Sequence, residues 1–387
     1  MKPQFIHRDL ELIQPDFNSP LTGIILELEK LRGPILGGPV HPHIFFELKE
    51  VFQMLESFGS ARIEGNRTTL SELIEKTIEK RRDDDEQIRE IANGEDAMDF
   101  IEDTLGKGGS ISQSFILEAH KIVTRDLTPP PNGEGSRTPG QFRNHDVIIQ
   151  KSMHKPPSFS MVTKYFNDLL YFINESTEPQ NELLITAIAH HRFAWIHPFD
   201  NGNGRLVRLL TYAMLIKQGF NVHNGRILNP TAIFCVDRDK YYHMLAQADR
   251  GGKNEMLAWC EYVLTGLLSE IHKIDQLLNR RYLTEKILLP AIVFGLENKY
   301  ITKLEYEILR KAVLSQHMEI VSGDIESLMP GKLPAERSRT LGRLKRKKML
   351  VPVKKNGRKY VISFFRNYLL RGVIDALKKE GFVSAND

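Results

Sequence analysis

The sequence has 387 residues, 41% hydrophobic and 26% charged, with 27 glycines and 19 prolines; this is the composition of a globular chain of two or three domains and excludes disordered and collagen-like proteins. No run approaches the roughly 18 apolar residues of a membrane helix, MKPQFIHRDLELIQPD has no signal-peptide core, and Cys235 and Cys260 stand in no ligand or disulfide spacing, so a reducing cytoplasm is expected. The net charge of +4 conceals twelve lysines and arginines against the single acid Glu336 between Gly331 and Tyr360, a local +11 that leaves the remainder at −7.

Helical periodicity begins at Leu21. LTGIILELEKLRG and HIFFELKEVFQMLESFGSARIEG repeat apolar residues three and four apart, and the first third is expected to be all-helical. Thr69, three residues before Glu72, predicts a capping box. The charged run from Lys80 to Glu90 reads as a solvated helix face or loop. Thr128 to Gly140 (TPPPNGEGSRTPG) is too rich in Pro and Gly for a helix and leads into QFRNHDVIIQ, whose β-branched run predicts a strand or hairpin. Helices are then expected from Asn181 to about Ile196 and from Gly204 to Gln218. Beyond Tyr282, YEILRKAV, SGDIESLM and SRTLGRLKRKKML read as three helices, and VPVKKNGRKYVIS as a hairpin turned at Asn356-Gly357, the order of a winged helix-turn-helix.

The chemistry concentrates in HPFDNGNGRLVR, from His197 to Arg208, between two amphipathic helices. Gly202 and Gly204 let the backbone turn and present N–H groups at the N-terminus of the following helix, where an anion is favoured. Arg205 and Arg208, three apart, project from one face of that helix, and two guanidinium groups beside exposed amides suit a polyphosphate. His197 has the proton affinity of a general base near neutral pH. No GxxxxGK[ST] occurs, so a Walker-type site is not expected.

This segment resembles the motif HPFx[D/E]GNGRxxR of the Fic (filamentation induced by cAMP) family. The resemblance implies a helical core with a β-hairpin flap, and transfer of AMP from ATP to a Ser, Thr or Tyr hydroxyl of a protein. It implies His197 as the base, Phe199 as a core anchor, Gly202, Asn203 and Gly204 around the phosphates, and Arg205 and Arg208 on the outer phosphates. Asn201 stands where the family has the Asp or Glu that holds Mg²⁺ or Mn²⁺, so a weaker or different metal dependence is expected. LESFGSARIEGNRTTLSELIE is similar to the N-terminal segment of a large Fic subgroup, and Ser60 and Glu64 fit its inhibitory pattern [S/T]xxxE[G/N]. Four apart, they share a helix face, and the resemblance pairs Glu64 with Arg208 against the γ-phosphate. In some relatives the same Glu supports removal of AMP. Gly140-Gln141-Phe142-Arg143 with Val147, Ile148, Ile149 and Gln150 looks like the flap over the nucleotide, and Tyr241, Tyr242 and Asp249 resemble an adenine-side segment. His190 and His191 are expected to pack or cap.

In the C-terminal region Arg339, Arg343 and Arg346 or Lys347 follow one helix side, and Lys354, Lys355, Arg358 and Lys359 crowd the hairpin, a footprint for duplex DNA. The expected architecture is therefore mainly α: an N-terminal helical segment with the inhibitory helix (1–95), a Fic core (96–275) and a winged-helix domain (282–387). The expected function is a self-inhibited protein adenylyltransferase, able in some relatives to remove AMP; the competing reading is a DNA-binding regulator that senses nucleotide. Expected partners are ATP, a protein bearing the acceptor hydroxyl and DNA, with a homo-oligomer allowed and no membrane.

Overall fold

The structure is a computed structural model that describes residues 3–32, 40–81, 85–149, 152–175, 178–220, 227–235 and 237–383. Its helices in chain order are α1 (Pro20–Leu31), α2 (Pro42–Glu64), α3 (Leu70–Glu79), α4 (Glu86–Thr104), α5 (Gln113–Val123), α6 (Phe159–Asn174), α7 (Glu182–Ile196) and α8 (Asn203–Lys217). They continue as α9 (Ala232–Cys235), α10 (Arg238–Ala248), α11 (Lys253–Asp275), α12 (Arg280–Tyr282), α13 (Leu289–Glu297), α14 (Lys303–Leu314), α15 (Pro334–Arg346) and α16 (Leu369–Lys379). The capping box of α3 forms as expected, the Thr69 side chain accepting from the Glu72 N–H while Glu72 reaches back to the Thr69 N–H.

The chain divides into two compact units. The first comprises residues 1–36, 56–67 and 83–272, and so takes in the last turns of α2. Its core is built around α7, which packs on α6 and α8, while α4 packs on α5 and α8. Helix α7 is buried on every side, from Leu183 to Trp195, as expected for an apolar central helix. This arrangement fixes both ends of the loop from His197 to Gly202.

The second unit comprises residues 37–55, 68–82 and 273–387. It holds a three-stranded antiparallel sheet of β1 (Glu319–Ile320), β2 (Leu350–Pro352) and β3 (Tyr360–Ile362) in the order β1-β3-β2, with both Glu319 and Val351 opposite Val361. The hairpin expected around Asn356-Gly357 forms, with Asn356 left-handed at φ 63. Strand β1 is too short for its alternation to show in the sequence, and SGDIESLM yields only a 3₁₀ turn, Glu326–Leu328. Buried Glu47 accepts from the Phe364 N–H at 2.6 Å and the Ser363 hydroxyl at 2.5 Å, charge-assisted bonds that satisfy the backbone after β3.

One local expectation fails. Val147, Ile148 and Ile149 pair with no strand among the described residues, so the flap is an irregular segment and not a ladder-bonded hairpin there; Gln150 lies outside the described residues. Its β-branched composition favours extended backbone, but a ladder requires a partner strand.

Candidate active site around the loop between α7 and α8

Helix α7 ends because His197 turns left-handed, at φ 50 and ψ 62, and Pro198 cannot continue the ladder. A non-glycine residue in this region costs about 1 kcal/mol, and Arg143 supplies the restraint. Its Nε donates to the His197 carbonyl at 2.9 Å, and Nη1 and Nη2 donate to the His145 carbonyl at 3.0 Å and the Pro157 carbonyl at 2.5 Å. Its backbone N–H donates to the Pro198 carbonyl at 2.9 Å. One buried guanidinium thus fixes where the His197 side chain begins. Within a sequence, an Arg in GQFR carries no mark of this role.

The His197 imidazole is held down to about 4, first by burial and then by the charge of Arg143, while a hydrogen bond to the Ala194 carbonyl and the Glu64 carboxylate oppose the shift. It is neutral at pH 7 and able to accept a proton.

Phe199 is fully buried and stacks on His120 with ring centroids 3.8 Å apart. The His120 Nδ1 accepts from the Gly140 N–H at 2.9 Å, which leaves Nε2 to donate to the Asn201 carbonyl at 3.1 Å. His120 therefore ties the Pro/Gly-rich segment to the loop, a role its helical position gives no sign of. The Asn203 side chain is engaged within the loop: its Oδ1 accepts from the Phe199 N–H at 3.0 Å and its Nδ2 donates to the Phe199 carbonyl at 2.9 Å. Asp200 accepts from the Ser136 hydroxyl at 2.5 Å and the Arg137 N–H at 2.8 Å.

Gly202, at φ +76, opens α8, and Gly204 follows in its first turn. A β-carbon at Gly204 would collide with Glu64 Oε1, so the Glu64 carboxylate lies against the helix N-terminus, the place favoured for an anion. Ser60 and Glu64 both reach Arg208. The Arg208 Nε donates to the Ser60 hydroxyl at 2.9 Å, and Nη2 donates to the Ser60 carbonyl at 3.0 Å and to Glu64 Oε1 at 2.7 Å. Burial alone would raise the Glu64 carboxyl, but Arg208, with Arg205 and Arg238 adding charge, holds it below its ordinary value. In return, burial pulls the Arg208 guanidinium down, but Glu64 and, after it, Tyr241 act against this and hold it above its ordinary value.

The two arginines diverge. Arg205 turns to Glu90 at 3.1 Å, to the Val123 carbonyl at 3.4 Å and to the Glu134 backbone, so it faces α4 and the Pro/Gly-rich segment, away from Glu64. Tyr241 is buried with its hydroxyl on His190 Nε2 at 2.9 Å, and Asp249 pairs with His191 at 2.9 Å. The two histidines pack, as expected, and they occupy two of the adenine-side candidates. Tyr242 is 42% exposed, under the Arg238 guanidinium. Val147 is half-buried, and Ile148 is 69% exposed.

Beneath the inhibitory turn lies Glu56, missed by motif reading but two turns before Glu64 on the same face. Both its carboxylate oxygens accept from the Thr231 N–H, at 2.8 and 3.0 Å, beside a cavity of about 20 Å³ that Ser60, Arg205 and Arg208 also line. Burial pushes its carboxyl up to about 8, against the Thr231 bonds and Arg208. Between the ordinary value of 4.5 and about 8 the folded chain keeps a proton that the unfolded chain has released, so stability falls as pH rises through this window. Unfolding free energies of wild type from urea titrations are expected to drop between pH 5 and pH 8 by on the order of 2–4 kcal/mol more than those of Glu56→Gln. Parallel pH profiles would refute the assignment.

The comparisons with known proteins agree with this geometry. Residues 110–215 match the Fic/DOC family. The match includes α5, the flap segment, α7 and the whole loop from His197 to Arg208. The chain is 30% identical to "Protein adenylyltransferase Fic" of Nematostella vectensis over 201 residues, 50% of this chain and 43% of that protein. It is 30% identical to the protein of the same name from Drosophila melanogaster over 201 residues, 50% of this chain and 37% of that one. The chain thus spans less than half the length of these relatives. A crystal structure of a Fic family protein from Desulfovibrio desulfuricans G20 superposes with a TM-score of 0.54 at 18% identity, covering 90% of this chain and 98% of the other. A Fic domain containing signaling protein from Bacteroides thetaiotaomicron gives 0.52 at 17%, covering 67% and 97%. These two likenesses establish the fold of a mainly helical Fic protein.

A divalent cation does not fit the residues of this loop. Asn201 brings no charge, and its Nδ2 donates to the Gly135 carbonyl at 3.1 Å and to Glu134 at 3.3 Å. The adjacent Asp200 is taken up by Ser136 and Arg137. Among the described residues no three His, Cys, Asp or Glu side chains gather as a ligand set.

Proposed function

We propose that this chain transfers AMP from ATP to a hydroxyl of a protein and is held inactive by its own α2. The observation that carries the reading is the Glu64 carboxylate, paired with Arg208 at 2.7 Å and pressed on Gly204 at the N-terminus of α8. A carboxylate there fills the place of a phosphate, with the same preferred partners: a guanidinium and a helix N-terminus. With Glu64 withdrawn, Arg208 and the amides of Gly202 to Gly204 would bind the β- and γ-phosphates.

The neutral His197 then accepts the proton of the target hydroxyl as its oxygen attacks the α-phosphorus. The P–O bond to the β-phosphate breaks, and pyrophosphate leaves. The exposed Ile148, in a segment whose backbone pairs with no strand among the described residues, would take the target by strand addition. Incubation of the Glu64→Gly chain with ATP labelled on the α-phosphate is expected to label protein, whereas γ-labelled ATP is expected to leave it unlabelled. Label retained from the γ-position would replace AMP transfer by phosphoryl transfer, and no label from either would remove the transferase reading.

Arg143 should matter to rate more than to binding. In the Glu64→Gly background, Arg143→Lys loses the fork that holds His197, His145 and Pro157, and kcat is expected to fall about 10- to 100-fold with KM changing less than about threefold. Steady-state kinetics with labelled ATP reads this. An equal rise in KM would mean that Arg143 shapes nucleotide binding instead.

A further inference from the structure

The basic segment that AMP transfer leaves unused lies in the second unit. We propose that α15 and the β2-β3 hairpin form a face for duplex DNA, with α15 entering the major groove and the hairpin cations flanking it on the phosphates. Helix α15 buries Arg337, Thr340, Leu341 and Leu344 and turns Arg339, Arg343 and Arg346 outward, four and three residues apart on one side. Lys354, Lys355 and Arg358 are exposed on the hairpin.

Carboxylates take up part of the rest of the basic segment. Arg337 pairs with Glu326, Lys347 with Glu305 and Lys359 with Glu319, at 2.7, 2.8 and 3.3 Å. The six outward cations of helix and hairpin make no ion pair with a carboxylate among the described residues. Glu336, the one acid of the segment, is occupied by the Leu333 N–H at 3.0 Å and by Lys332 at 3.2 Å. A surface that is merely solvated is free to intersperse acids; this one keeps them at its edge, as binding to a polyanion requires.

Gly342 favours a duplex over an acidic protein segment. It sits in the middle of the exposed side of α15 between Arg339 and Arg346, and a β-carbon there would meet nothing within 4 Å. A mid-helix glycine is destabilising, and no packing in this unit requires it. With Ala335 and Ser338 on the same side, it leaves the helix backbone free to approach a groove wall closely. The order of helix, strand, turn, helix and hairpin is that of winged helices, which place the second long helix in the major groove.

The test is fluorescence anisotropy of a labelled duplex of about 24 base pairs with the full chain, from about 50 to 200 mM KCl. Binding is expected to weaken linearly in log salt with a slope of about −4 to −6, and Arg339→Ala and Arg343→Ala are each expected to flatten it by about 1. Gly342→Gln is expected to raise the melting temperature and still weaken binding at least about tenfold, since a longer side chain suits the helix but not the groove. No binding at about 20 µM protein and 50 mM salt would overturn the proposal, as would a slope unchanged in the arginine variants. Competition by polyglutamate as effective, per charge, as unlabelled duplex would overturn it in favour of an acidic protein partner, and full affinity in Gly342→Gln would remove the groove contact.

Discussion

Glu64→Gly is expected to raise AMP incorporation from α-labelled ATP at least tenfold over wild type. The bond to Arg208 is the shortest of the three that α2 makes to this guanidinium, and it is the one that places negative charge on the α8 N-terminus. Removing the carboxylate frees a buried cation and an anion site together, and a tenfold gain corresponds to only about 1.4 kcal/mol of relieved competition. The substitution falls on the last residue of α2, followed by Gly65 at φ +111, so its cost in helix propensity is about 1 kcal/mol at most, and the larger cost to the fold is the buried Arg208 guanidinium left without its carboxylate. Glu64→Gln keeps the shape and loses the charge, and an activity between the two is expected. The direction of the Glu64 shift adds a pH test. Because its carboxyl is held below 4.5, the ion pair contributes at all pH values above 4.5 and is lost only as pH falls through the lower, folded value. Inhibition of wild type should therefore be constant from pH 6 to 8. Wild-type activity equal to that of Glu64→Gly across this range would mean that α2 does not inhibit.

In the Glu64→Gly background, His197→Ala is expected to lower kcat by about 10²- to 10⁴-fold, the usual contribution of a positioned general base. The imidazole titrates at about 4 in the inhibited chain, so it is in the accepting form throughout the neutral range. Removing Glu64, one of the groups that raise it, shifts it further down. The rate should therefore show no acid limb above about pH 5 in Glu64→Gly. Nucleotide binding, read by fluorescence titration, should persist in His197→Ala, because the phosphate partners lie in the loop and on Arg208. Loss of binding together with rate would make His197 a structural residue.

The sequence made the motif from His197 to Arg208 and the pairing of Glu64 with Arg208 legible because each role rests on a residue type that chemistry restricts. Helix ends were legible for a similar reason: Thr69 with Glu72 and Gly202 before α8 act through contacts only a few residues away. What escaped depends on contacts distant in sequence. Arg143 reads as part of the flap until the fold brings five backbone carbonyls around it, and His120 carries no signal in the sequence of the stacking that Phe199 makes on it. Arg205 and Arg208 share a helix side three residues apart, yet Glu90 and Glu134 draw one away while Ser60 and Glu64 hold the other. Spacing cannot foresee which acids arrive from other helices. Tyr241 and Asp249 match an adenine-side segment in pattern, but buried histidines took up their polar atoms.

The loop before α8 is held by the chain's own side chains: Asn203 closes it on Phe199, His120 holds Asn201, and Asp200 anchors the neighbouring segment. A nucleotide therefore has no ordering entropy to offset on arrival, and what it meets is a tethered competitor with its own effective concentration. On the proposed function, activity becomes a contest between free ATP and a carboxylate on a leash. Any event that loosens the last turns of α2 even slightly lowers the ATP concentration at which the enzyme turns on, so the helix behaves as an adjustable threshold rather than as a lock.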